Sequence, residues 1–207
     1  MLAAGVASPS PRFLALGDSY TIGEGLPASE NWPHQLAALL HLGAPEIVAR
    51  TGWTTDELSV AMDAHAFHPP YDLVTLLIGV NNQYRGRDLE NYRTEFRMLL
   101  ERAIAFAGGN PQHVVVVSIP DWGVTRFGAQ SGRDVAQVAR EIDAFNAAAT
   151  EISARSHVHF VDITATSRDR GGNADMLAAD GLHPSAAMYA RWLATIEPAA
   201  RSALAAP

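Results

Sequence analysis

The chain has 207 residues, a net charge of −7 and no cysteine. At this length about 70% of the unfolded surface can be buried, so one domain with one core needs no disulfide or metal staple. The missing cysteine excludes a thiol nucleophile and Cys-based zinc or iron–sulfur sites. With no Lys/Arg block to offset the acidic balance, a nucleic-acid or anionic-membrane surface is not expected.

In chain order, residues 1–12 (MLAAGVASPSPR) are small and Pro/Ser-rich, and are expected to form a flexible N-terminal segment before a single domain over 13–207. They lack the basic n-region and long apolar run of a full secretory signal. The compartment therefore stays open: cytoplasm, or periplasm and exterior if a leader is missing from this chain. No segment approaches the ~18 consecutive apolar residues of a membrane span, so no stable membrane insertion is expected.

Phe13–Leu16 has the pattern of a first strand and Asn31–Leu42 that of a helix. Ile47–Ala49 is a second strand, followed by a helix over Thr54–Ala66. The cluster Thr54-Thr55-Asp56-Glu57 supplies an N-cap and acidic residues in the first turn, where the helix dipole favours them. Leu73–Ile78 is a near-continuous apolar run, as strands are when both sheet faces are covered. A helix over Asp88–Ala107 is stopped by Gly108-Gly109-Asn110-Pro111. Val114–Ile119 repeats the buried-strand pattern, Arg133–Ser156 is helical, His157–Asp162 is a fifth strand, and a last helix runs from Ser185 to about Ala203. Strands alternating with helices, without hairpin turns, predict an α/β fold. It is a flavodoxin-like three-layer α/β/α sandwich on a five-stranded parallel sheet. Ligands of such sheets bind beyond the carboxyl ends of the strands.

Four blocks fall at those ends or in a loop: Gly17-Asp18-Ser19-Tyr20, Arg50-Thr51-Gly52-Trp53, Gly79-Val80-Asn81-Asn82 and Asp180-Gly181-Leu182-His183-Pro184. Taken singly, each has a bland explanation: a Ser after a strand is commonly an N-cap, and an Asn after a Gly a turn residue. Together and in this order they resemble the GDSL or SGNH hydrolase family, named for one Ser, Gly, Asn and His in separated blocks. The matching residues are Ser19, Gly52, Asn81 and His183, and the resemblance covers the chain from about Phe13 to the final helix.

The resemblance implies a Ser–His–Asp triad of Ser19, His183 and Asp180. The residue types suit that task. A serine hydroxyl needs a base to become a nucleophile, imidazole titrates near neutrality, and a carboxylate fixes the tautomer. The resemblance also implies three oxyanion donors: the N–H of Ser19, the N–H of Gly52 and the Asn81 side-chain amide. One departure stands out, since the third block usually reads Gly-x-Asn-Asp and here ends in Asn82. Two readings of Asp18 stand, a second acid acting on His183 or a pin for the nucleophile loop, and the second is favoured.

Trp122, Val124 and Phe127, with Trp53 and Tyr84 at the rim, are candidates to line a substrate pocket; the competing reading is that they pack their loops onto the domain. His34, His41, His65, His68, His113, His157 and His159 form no cluster with metal-ligand spacing, so neither a metal nor a cofactor is expected. The expected activity is hydrolysis of a small-molecule carboxylic ester through an acyl-enzyme on Ser19, of the esterase or lysophospholipase kind, with small to medium acyl groups. Carbohydrate acetyl-ester cleavage and acyl transfer are alternatives. An alternative of another class is a non-catalytic ligand-binding module of the same fold. Against it, the first loop, Asp18–Gly25, carries two acids and lacks the Lys of a P-loop. Oligomeric state is not legible in the sequence.

Overall fold

The structure, a computed structural model, describes residues 10–207. Residues 1–9, most of the expected flexible segment, lie outside the described residues. Of the remainder, the Pro11 carbonyl accepts from Gly43 N–H, and Arg12 donates its N–H to Asp72 at 2.6 Å while its ring-stacked guanidinium lies 4.6 Å from the Tyr71 centroid.

Five strands form one sheet: β1 (Phe13–Asp18), β2 (Glu46–Arg50), β3 (Leu73–Leu77), β4 (Val114–Val117) and β5 (His159–Val161). Their order is β2-β1-β3-β4-β5 and every pairing is parallel, with Leu16 opposite Val48 on one side and Leu76 on the other. Every residue of β1, β3 and β4 is buried, which is why these segments are near-continuously apolar. The chain passes from β1 outward to β2, then returns to the other side of β1 for β3. The strand order therefore reverses beside β1, and the crevice beyond the ends of β1 and β3 is where such a sheet accepts ligand.

Helices cover both faces. α1 (Ser19–Ile22) and α2 (Trp32–Leu40) follow β1; α3 (Thr55–Ala64) follows β2; α4 (Val80–Tyr84) and α5 (Leu89–Phe106) follow β3; α6 (Arg126–Gln130) and α7 (Val135–Arg155) follow β4; α8 (Thr164–Arg170) and α9 (Ala186–Ala205) follow β5. One layer packs α2 and α8 against α9; the other packs α3 and α7 against α5.

The long helices match their expected spans to within a few residues, and Thr54 and Glu57 form a reciprocal capping box at the start of α3. The differences sit at boundaries. β5 begins at His159 rather than His157, because His157 adopts φ 57° and, with Val158 N–H bonding Ser153 O, closes α7. β4 stops before Ser118, whose hydroxyl turns to Asp162 and Thr164, while Ile119 exchanges bonds with the Asn146 side chain. The short helices α1, α4, α6 and α8 are not among the predicted elements, because segments of four to seven residues carry no periodicity of their own.

Candidate active site

Ser19 opens α1 at the end of β1. The turn is tight because Gly17 allows it: a Cβ there would collide with the Thr21 hydroxyl and the Leu77 carbonyl. Asp18 caps the turn by accepting Tyr20 N–H at 3.0 Å, and Tyr20's own carbonyl is held by the Trp32 indole and the Tyr189 hydroxyl. The segment carrying Ser19 is thus anchored from below by α2 and α9.

His183 is delivered by the loop before α9. Its Nε2 lies 3.0 Å from Ser19 Oγ and its Nδ1 lies 2.6 Å from Asp180 Oδ2. The other Asp180 oxygen accepts the N–H groups of Leu182 (2.8 Å) and His183 (3.0 Å), so the loop closes on its own carboxylate. Partial burial works to raise the Asp180 pKa, but the bonds from His183 and the two N–H groups outweigh it and hold the carboxyl below its usual range. The loop is clamped from outside as well: Phe127 N–H donates to Gly181 O and Arg126 Nη2 to Ala179 O. The Tyr20 ring packs against the imidazole at 5.3 Å between centroids.

Asp18 makes no hydrogen bond to His183; it is fully buried and its Oδ2 has no partner among the described residues. Burial pushes its pKa up to about 7, with the Tyr20 N–H opposing.

Opposite the histidine, two further strand ends converge. Gly52 has φ 84°, a conformation that favours glycine, and its N–H has no acceptor among the described residues. Its carbonyl accepts from Arg85 Nη2 at 2.6 Å. Asn81, on α4, donates one side-chain N–H to Trp53 O at 2.9 Å. The α4 segment and the loop after β2 are therefore tied together twice. Asn82 points elsewhere, into the fold: its Oδ1 accepts Thr55 N–H at 3.1 Å and its Nδ2 donates to Thr55 Oγ1 at 2.6 Å, freeing that hydroxyl to donate to Glu95.

A hollow of about 210 Å³ lies over this constellation, lined by Ser19, Tyr20, Thr51, Gly52, Val80, Asn81, Leu182 and His183 together with Tyr84, Trp122 and Phe127. Three of the five expected pocket residues are therefore at the site, and they form one ring cluster, Tyr84 edge-on to Trp122 and Phe127 6.0 Å from it. Val124 is not among the lining residues; it borders a separate hollow with Arg126, Gly172 and Ala178. Trp53 is half-buried against the core and reaches Asn81 through its carbonyl. Tyr20, Thr51, Val80 and Leu182 line the hollow without having been singled out. They flank the recognised blocks, and adjacency was the one available signal. Among the described residues no three His, Asp or Glu side chains gather as a metal site, and no helix is long and apolar enough to cross a membrane.

The profile of the GDSL-like lipase/acylhydrolase family matches residues 15–191. The chain is similar in structure to TesA, at 21% identity over 93% of this chain and 99% of that one, with a TM-score of 0.71. It is also similar to the psychrotrophic esterase EstA from Pseudoalteromonas sp., solved inhibited by monoethylphosphonate (19% identity, 92% and 97% covered, TM-score 0.69). A third likeness is to a mutant of Axe2, an acetyl-xylooligosaccharide esterase from Geobacillus Stearmophilus (20% identity, 97% and 96% covered, TM-score 0.66). No curated protein sequence matches the chain.

Proposed function

We propose an acyl-enzyme mechanism on one premise: the chain belongs to the GDSL-like lipase/acylhydrolase family, and is a carboxylic ester hydrolase. Ser19 Oγ attacks the ester carbonyl while His183 Nε2 takes its proton, and Asp180 keeps the imidazole in the tautomer that can accept it. The carbonyl oxygen becomes an anion met by the N–H of Ser19, the N–H of Gly52 and the second side-chain N–H of Asn81. His183 then protonates the departing alcohol. Water, activated by the same imidazole, cleaves the acyl-enzyme and frees Ser19.

The observation that carries this reading is the unbroken relay from Ser19 Oγ through His183 to Asp180, with spacings of 3.0 and 2.6 Å, at the wall of an apolar hollow. A binding module has no use for a buried serine aligned on an imidazole. The hollow's 210 Å³ falls below the ~300–1,000 Å³ common for drug-sized ligands, which favours small to medium acyl groups. The same small volume favours acetyl esters as a second reading.

Labelling by a fluorophosphonate probe, alongside turnover of p-nitrophenyl esters, tests the mechanism. Wild type should be labelled and Ser19→Ala should not. Labelling that survives Ser19→Ala would refute the nucleophile. Fastest turnover of acetate among the esters would select the second reading.

A further inference from the structure

Two hollows share Trp122 as a wall. The first is the hollow over Ser19. The second lies inside the domain, bordered by Met176, Met188, Pro184 and Trp192, and encloses only about 20 Å³. Tyr20, Trp122 and Leu182 line both. Among these three shared walls, Trp122 has the largest side chain, and it is only 2% exposed.

The indole is clamped. Trp122 Nε1 donates to Gln83 Oε1 at 2.8 Å, Gln83 Nε2 donates to Glu141 Oε2 at 2.6 Å, and the other Glu141 oxygen accepts from Gln137 at 2.8 Å. Gln83 is itself buried and both ends of its amide are engaged. Turning the indole would strand a buried donor and a buried acceptor together, which is penalised more than the loss of an exposed bond. Arg133 covers the outside, its guanidinium 5.5 Å from the Trp122 ring and 5.7 Å from Tyr84, with a bond to Tyr84 O. The far side of the partition is soft by contrast. Methionine side chains adapt readily, and the Trp192 indole N–H is buried with no partner among the described residues.

We propose that Trp122, held by the Glu141–Gln83 chain, is the acyl-length stop of this enzyme, closing the substrate hollow against an inner methionine-lined space that longer acyl chains would otherwise enter. Gln83 is then a positioning residue that sets chain-length specificity without touching substrate. The proposal rests on Ser19 as nucleophile and on the hollow above it as the acyl site.

The experiment measures kcat/KM for p-nitrophenyl esters from acetate to dodecanoate in wild type, Trp122→Ala and Gln83→Met, with thermal melting of each. The decanoate-to-butyrate ratio should rise about tenfold or more in Trp122→Ala and a few-fold in Gln83→Met, the scale on which a pocket discriminates methylene groups. An unchanged ratio in both variants overturns the proposal. So does a uniform loss across all esters with a lowered Tm, the signature of a structural role alone. If Trp122→Ala does not fold, Trp122→Leu and Gln83→Met decide by the same two outcomes. Wild type that is neither labelled by a fluorophosphonate nor active on any ester overturns the reading of Ser19, and this proposal with it, before any variant is compared.

Discussion

The two sides of the site are built differently. On one side, Asp180 and His183 lie three residues apart and a single loop sets their geometry, closing on Asp180 through two backbone N–H groups. On the other, the proposed oxyanion donors Ser19, Gly52 and Asn81 come from the ends of three strands and meet because β2, β1 and β3 are neighbours in the sheet. In the proposed mechanism the first side works in series: the proton of Ser19 passes through His183, so no part is redundant. The second, as proposed, works in parallel, with three donors sharing one charge. Series and parallel arrangements fail differently when a part is removed.

The largest expected effect is on the series side. His183→Ala should lower kcat by on the order of 10⁵–10⁶-fold, and Asp180→Asn by about 10⁴-fold through the wrong tautomer, both read in steady-state ester hydrolysis. A loss of only tenfold in either would break the comparison. On the parallel side Asn81→Ala should cost about 10²–10³ in kcat with the fold retained, since two donors remain. Near-wild-type turnover there would remove Asn81 from the site.

Asp18 sharpens the contrast, because it caps the turn that carries Ser19 without belonging to either side. Its carboxyl titrates near 7 in the fold against an ordinary value of 3.8. Below about pH 4 both folded and unfolded forms hold the proton and there is no penalty. Between about 4 and 7 the unfolded chain releases it first, so this group lowers stability as pH rises, by up to a few kcal/mol, and above 7 the penalty is constant. Asp18→Asn keeps an acceptor for Tyr20 N–H and should flatten that slope. Melting across pH should show the variant gaining on wild type from pH 4 to 7. Parallel curves would sink the assignment.

The smallest effect concerns Asn82. An Asp there would set two carboxylates, its own and Glu95's, on one Thr55 hydroxyl that has a single proton to donate. Asn82→Asp should therefore reduce stability by about 1–2 kcal/mol, with kcat little changed, and Glu95→Gln should restore it. The departure from the usual Gly-x-Asn-Asp is thus matched by a neighbour on α5, a pairing invisible along the chain.

Much of this was legible in the sequence. Apolar runs such as Leu73–Leu77 announced strands covered on both faces, and the four blocks announced the residues to watch. Val124 shows the boundary of that method. It sits two residues from Trp122 in a loop that should border the cleft, yet its side chain lies beside Gly171 and it borders a different hollow. Trp53, beside Gly52, contributes a carbonyl rather than a ring to the site. Gln83 stood in the same loop as Tyr84 without distinction, since nothing local marks a glutamine whose partners, Trp122 and Glu141, lie 39 and 58 residues on.

By itself the sequence determined the parallel α/β architecture, the family and the pairing of Asp180 with His183. Hydrophobic period and short-range spacing are local properties, and they survive in a one-dimensional string. Only the tertiary structure decided which oxygen each amide faces, how Asn82 is satisfied, and that Trp122 is clamped between two hollows. Those depend on side-chain direction and on contacts between distant segments, which the packing of the whole core sets at once.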